Sequence, residues 1–154
     1  MISQAEVERL LAVGKVLINP ADAEMPNAGN RIALELTSVD GREEFLVDIN
    51  RPGQIRLSRC AYQNRYRNDI ILLRLDVNGR RHTNPDGEVI PCPHLHIYRD
   101  GARDYWAVPL DMSRFPRPDD LVGTMVDFLR FCNVTNLNEI RSLQGGVFDG
   151  SDTG

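Results

Sequence analysis

Hydrophobic residues recur at helical spacing near both ends of the chain and alternate one-in-two through its middle. At the start, Ser3-Gln4-Ala5-Glu6 has the form of a capping box, in which a hydroxyl accepts the Glu6 amide and opens a helix. Val7, Leu10, Leu11 and Gly14 follow three and four apart, which predicts a helix over about residues 4–16. Asn19-Pro20 ends it, and residues 20–30 read as a loop. The period then changes to two. Ile32, Leu34 and Leu36 predict one strand, and Phe45, Val47 and Ile49 a second across the Asp40-Gly41 turn. Ile55 and Leu57 begin a third, which runs into the irregular-looking CAYQNRYRN. Ile71, Leu73, Leu75 and Val77 line one face of a fourth over 70–77, Val89 to Tyr98 forms a fifth, and Tyr105 to Leu110 a sixth. Pro91 and Pro93 restrict the early pairing of the fifth. Leu121, Val122, Met125, Phe128, Leu129 and Cys132 return to helical spacing after Pro118, with Asp119 and Asp120 suited to that helix's N-terminus. A last helix is predicted over about 137–144, stopped by Gly145.

The hairpin links are too short for crossover helices, so the fold class is α+β. The expected architecture is an antiparallel meander of about six strands, with an N-terminal helix and two C-terminal helices covering one face. Residues 1–146 form one domain and 147–154 a disordered tail.

Composition changes this picture in one respect. The chain of 154 residues carries a net charge of −4, which argues against a protein that coats nucleic acid over its whole surface. The basic residues are unevenly spread: Arg51, Arg56, Arg59, Arg65, Arg67, Arg74, Arg80 and Arg81 face only Asp69 and Asp76 in the same stretch, and Lys15 is the lone lysine. Cys60, Cys92 and Cys132 are too few and too scattered for a disulfide framework and read as reduced thiols. The opening residues do not form a signal peptide and no run spans a bilayer, so a cytoplasmic protein without membrane partners is expected.

Strand alternation then sorts the chemistry. With Leu95 and Ile97 facing the helices, His94, His96 and Tyr98 point to the other face, together with Arg74 and Asp76 from the fourth strand and Arg56 from the third. An open sheet face is ordinarily polar, but one built of His, Arg and Tyr offers groups for acid–base work and phosphate binding. Metal-free RNA cleavage needs a base for the 2′-hydroxyl, an acid for the leaving oxygen and cations for the phosphorane. His94, His96, Arg74 and Tyr98 are the candidate catalytic residues. The candidate substrate-binding residues are Arg56, Arg59, Gln63, Arg65, Tyr66, Arg67, His82 and Arg99, several of them in an Arg/Tyr segment suited to backbone contacts and base stacking. If those histidines are solvated, replacing them with alanine costs little stability, whereas Leu95→Ala costs much more.

The segment ILLRLDVNGRRHTNPDGEVIPCPHLHIYRDG, with Trp106 and Pro109 downstream, resembles an uncharacterised family of small bacterial proteins carrying NPDG and PHLHIYR. Arg74-x-Asp76, His82 and Pro93-His94-x-His96 resemble the PHHKH signature of TumE-type toxins of toxin–antitoxin systems, with Leu95 in place of the basic residue between the histidines. That second resemblance implies an RNase-like fold and activity. The leading expectation is therefore an RNA-directed protein without cofactor, a metal-independent endoribonuclease of toxin type with RNA and a cognate antitoxin-like protein as partners. A non-catalytic interaction module is the first alternative. The second is a metal-binding hydrolase using His82, His94 and His96.

Overall fold

The computed structural model describes residues 2–53 and 58–143. Ser3 caps the first helix, α1 (Gln4–Ala12), by accepting the Glu6 amide at 3.1 Å. Glu6 itself turns outward to Arg9 instead of closing the capping box. The helix is one turn shorter than the spacing predicts. Residues 15–17 leave it to become an edge strand, β1 (Lys15–Leu17), that pairs antiparallel with β2 (Arg31–Ser38). The meander continues through β3 (Glu44–Asn50), β4 (Cys60–Tyr66) and β5 (Ile70–Val77).

The predicted fifth strand is two separate pieces. β6 (His82–Thr83) and β7 (Val89–Ile90) make a small hairpin of their own, and after the cis Cys92–Pro93 bond the chain enters β8 (His94–Ile97), which pairs with β5. β9 (Ala107–Pro109) closes the far edge, giving the order β1-β2-β3-β4-β5-β8-β9 with every pairing antiparallel. The second helix, α2 (Leu121–Phe131), starts at Asp120, whose carboxylate accepts the Gly123 amide at 3.1 Å. Of the last predicted helix, a 3-10 turn at Leu137–Glu139 and helical residues 141–143 lie within the range described. The predicted tail and Ile55, Arg56 and Leu57 lie outside the described residues.

One face of the sheet carries the apolar core. Leu34, Leu36, Val47, Ile49, Leu73, Leu75 and Leu95 pack with Val7 and Leu10 of α1 and with Met125, Phe128 and Leu129 of α2. Each such side chain contributes about 1.5–3 kcal/mol by leaving water. The segment that reads as an irregular arginine-rich loop is the central strand β4. Its side chains alternate strictly: Cys60, Tyr62, Asn64 and Tyr66 are buried towards the helices, and Ala61, Gln63 and Arg65 face the other way. Tyr62 stacks at 5.9 Å from Phe128 and donates its hydroxyl to the Leu121 carbonyl at 2.8 Å, tying the sheet to the start of α2.

The second face is not open along its whole length. The β6–β7 hairpin is fixed to β9 by Asn84 of the NPDG motif. Its side-chain amide donates to the Ala107 carbonyl and accepts the Ala107 N–H, both at 2.8 Å, as a neighbouring strand would. Gly87, at φ +91°, takes a turn conformation that a side chain would resist and lets the hairpin close. This fixes His82 over the second face.

Candidate active site

Cross-strand register assembles the site. Asp48, Gln63, Arg74 and His96 are successive partners across β3, β4, β5 and β8, and Asn50, Ala61, Asp76 and His94 form the next row. Alternation puts both rows on the second face, and the hairpin closes over their β8 end. His94 and His96 are consequently buried, each 1% exposed. The expectation of solvated histidines fails here, because the face is roofed by a segment distant from it in sequence. His82 lies against them, its ring centroid 4.6 Å from that of His96 and 6.0 Å from that of His94.

The polar contacts within this cluster follow a consistent pattern. His94 Nδ1 donates to the Pro91 carbonyl at 3.2 Å and His96 Nδ1 to the Asp104 carbonyl at 2.9 Å. A carbonyl only accepts, so both Nδ1 atoms carry a proton, and each ring turns Nε2 towards the interior of the cluster. Both Nε2 atoms converge on one oxygen of Asp76, at 3.1 and 3.2 Å. Arg74 lies alongside, its Nη2 donating to His96 Nε2 at 3.1 Å, with Asp76 and Asp104 each at 3.5 Å from its guanidinium. Burial alone would raise the Asp76 carboxyl's pKa. The two imidazoles at hydrogen-bond distance and the charge of Arg74 outweigh it and hold that carboxyl well below the usual range. Cys92 donates its thiol to the Asp76 carbonyl and accepts the Gly79 amide, bracing this end of β5.

The cluster forms the floor of a cavity of about 390 Å³ whose lining includes Arg59, Arg74, Arg80, Arg81 and His82. A shallower trough lined by Arg31, Asp48, Gln63, Arg65 and Arg74 continues it across the sheet. The structure thus brings together five of the residues expected from sequence: Arg59, Arg74, His82, His94 and His96. Arg65 and Gln63 lie in the trough but are tied to Asp48, Arg65 in a bidentate pair at 2.5 and 2.9 Å.

Four others lie elsewhere. Tyr98, expected beside the histidines, is buried in the helix-side core, because the chain leaves β8 after Ile97 and Tyr98 no longer follows the strand's alternation. Tyr66 is also in that core, since β4 is a regular strand that turns its tyrosines inward. Arg67 stacks over the Tyr66 ring at 5.0 Å and Arg99 over Trp106 at 4.1 Å, both away from the cavity. Arg56 lies outside the described residues.

Asp76, Arg80 and Arg81 are the residues that sequence reasoning leaves without a role. The signal for Asp76 is its place two residues after Arg74 on a strand whose other face is apolar. The set His82, His94 and His96, expected to suit a metal, is not the one that converges. His82 spends its Nε2–H on the Tyr105 carbonyl at 2.7 Å, and Asp76 takes the third position.

Comparison with known proteins places this geometry in a family. The chain belongs to the family of unknown function DUF6978. The family model matches residues 2–134, which takes in α1, α2 and every strand among the described residues. No curated protein and no solved structure matches significantly. In this DUF6978 chain the NPDG residues set the roof of the cavity, and the PHLHIYR residues supply two of its floor groups. No helix among the described residues is long and apolar enough to cross a membrane.

Proposed function

We propose that the protein is RNA-directed and cleaves a phosphodiester in the arginine-lined cavity. The observation that supports this reading is the joining of Arg59, Arg74, Arg80 and Arg81 in one cavity whose floor holds two imidazoles and a carboxylate. Guanidinium groups pair with phosphate oxygens through two parallel N–H donors, and four of them around one cavity suit a polyanionic backbone. The arrangement suits contacts to the backbone more than to the bases, because Tyr62, Tyr66 and Tyr98 are turned into the core. The resemblance of Arg74-x-Asp76, His82 and Pro93-His94-x-His96 to the TumE signature points the same way, since these are residues of the cavity.

His82 is the base in this reading. Its Nε2–H is held by the Tyr105 carbonyl, which leaves Nδ1 as the unprotonated nitrogen of the half-buried ring. It takes the proton of the 2′-hydroxyl as that oxygen bonds to phosphorus, while the arginines neutralise the charge that grows on the phosphorane. The bond to the 5′-oxygen breaks and that oxygen takes a proton from water in the cavity. His94 and His96 hold the floor and are not the acid–base pair, because both nitrogens of each ring are already engaged.

Incubation of the purified protein with total RNA, with EDTA and with added divalent metal, tests this. The expected result is fragments with 2′,3′-cyclic phosphate ends, and loss of cleavage in His82→Ala. RNA that stays intact under both conditions, at a protein concentration in excess of RNA ends, removes the enzymatic reading.

A further inference from the structure

The floor of the cavity gathers two imidazole nitrogens and a carboxylate oxygen at one point. His94 Nε2 and His96 Nε2 lie 3.1 and 3.2 Å from one Asp76 oxygen. Arg74 Nη2 is 3.1 Å from His96 Nε2, and a guanidinium can only donate. Arg74 therefore favours a lone pair on His96 Nε2, while the Asp76 oxygen at 3.2 Å favours a positive centre there.

Two of the three spacings are those of ligands around one ion. Donors held about 2.0–2.2 Å from a metal at tetrahedral or octahedral angles lie about 3.0–3.5 Å from each other. The ligand atoms of Asp76, His94 and His96 all fall within 4.8 Å of one another, and the two carboxylate–imidazole pairs lie inside the narrower range. Both rings are already oriented as metal-ligating imidazoles are, with the far N–H given to a backbone carbonyl, of Pro91 in one case and Asp104 in the other. Asp76, whose side chain is 23% exposed, opens the group to the cavity and provides the way in.

We propose that Asp76, His94 and His96 bind one divalent transition-metal ion of the zinc class, with its remaining positions turned towards the arginine-lined cavity. Two imidazoles and one carboxylate suit such ions over magnesium or calcium, which favour all-oxygen sets. On binding, His96 Nε2 gives its lone pair to the ion, and Arg74 keeps Asp104 and the carboxylate of Asp76 as partners. Two carboxylates, one guanidinium and a dication leave a positive excess, which an anionic oxygen from phosphate or hydroxide offsets. The inference concerns the same cavity as the proposed RNA cleavage but does not depend on it, because it is read without RNA.

The test uses the full chain stripped with EDTA and titrated with zinc chloride in a calorimeter, with melting followed in parallel. Zinc is expected to bind at one equivalent and raise the melting temperature by several degrees, since a ligand of the folded state stabilises it by mass action. Asp76→Asn, His94→Gln and His96→Gln should each weaken zinc at least tenfold, while Cys92→Ser, which removes the nearest thiol, should bind as the parent does. Because a substitution at a buried histidine can impair folding, cobalt(II) added to the unaltered chain gives a second reading: visible absorption that one equivalent of zinc abolishes. No zinc uptake and no cobalt spectrum, or equal zinc affinity in folded Asp76→Asn, would overturn the proposal. Metal binding without RNA cleavage would leave it standing and count against the RNA reading alone.

Discussion

Lys15 and Asp76 are both charged side chains enclosed by this fold, on opposite faces of one sheet. Lys15 is fully buried on the helix side, its ammonium 4.8 Å above the Phe45 ring. It donates to the carbonyls of Leu11, Val13 and Cys132, at 3.3, 3.0 and 2.9 Å, which lie at the C-terminal ends of α1 and α2. Three donors meet three acceptors, and the charge sits where both helix dipoles are negative. Asp76 instead meets two imidazole nitrogens at 3.1 and 3.2 Å, beside an arginine that lies 3.5 Å from it and 3.1 Å from one of them. The first arrangement is complete and needs nothing from outside. The second opens on a cavity and is the one proposed to take an added cation. An enclosed charge thus points to function when its partners are themselves ligand-type atoms turned towards a cavity.

The largest effect that separates the two faces lies on β8 itself. Leu95 is 5% exposed and belongs to the helix-side core, so Leu95→Ala should cost about 2–5 kcal/mol in chemical denaturation. His96→Ala removes a ring buried on the other face together with its bond to the Asp104 carbonyl. Its cost should be smaller, about 1–3 kcal/mol, and should grow when the protein is metal-loaded. Equal losses for both, with and without zinc, would make the second face an ordinary core.

The difference between the faces also explains what is legible in the sequence. β5 is legible because Leu73, Leu75 and Val77 contrast sharply with Arg74 and Asp76, and this places the last two opposite the core. β4 has equally strict alternation, but its inward residues include Asn64 and two tyrosines and its outward ones an alanine. Hydrophobic contrast is then too weak to show a strand. β1 is hidden for a related reason: its first residue is a lysine, a poor candidate for burial until the two helix ends that receive it are known. The roof over the histidines depends on Asn84 imitating a strand against Ala107, a long-range pairing with no local signature. The histidines are legible as a pair on one face, and their burial is not.

A second experiment tests whether Lys15 is self-sufficient. Burial pushes its pKa down to about 8, against a small opposing influence from Cys132. In the folded state the ammonium is disfavoured, so between pH 8 and the ordinary lysine range, near 10.4, the unfolded chain holds a proton that the folded chain has released. Folding stability attributable to Lys15 therefore rises with pH across that window, by about 3 kcal/mol at most. Cys60 and Cys132, pushed by burial up to about 11 and about 12, act in the opposite direction: the unfolded thiols ionise first, so their contribution falls as pH rises above about 8.5. The comparison must then be made against Lys15→Met, which keeps the thiols. At pH 7 the variant should lie within about 1 kcal/mol of the parent, because the lost hydrogen bonds are offset by the removed charge burial. From pH 8 to 10 the parent should gain on it. A gap that stays constant over that range would mean that Lys15 keeps its proton when folded.

The smallest effect on stability, and the most informative for function, is expected at the cavity rim. Arg80 and Arg81 are exposed, and neither forms part of the Asp76 cluster. Substituting both with alanine should change stability by no more than about 0.5 kcal/mol, as surface replacements away from buried networks do. Their role in the proposed function is with phosphate alone, so RNA binding should weaken without regard to sequence. The dependence of log affinity on log salt should become shallower by about 0.7 for each phosphate of a single strand that is no longer neutralised. Fluorescence anisotropy with a labelled single-stranded RNA at several salt concentrations reads both quantities. Zinc binding at the floor should persist in the same variant, since its ligands are untouched. An unchanged salt slope would remove the rim from the substrate path, and would leave the Asp76 site to be explained by a small anion instead of a nucleic-acid backbone.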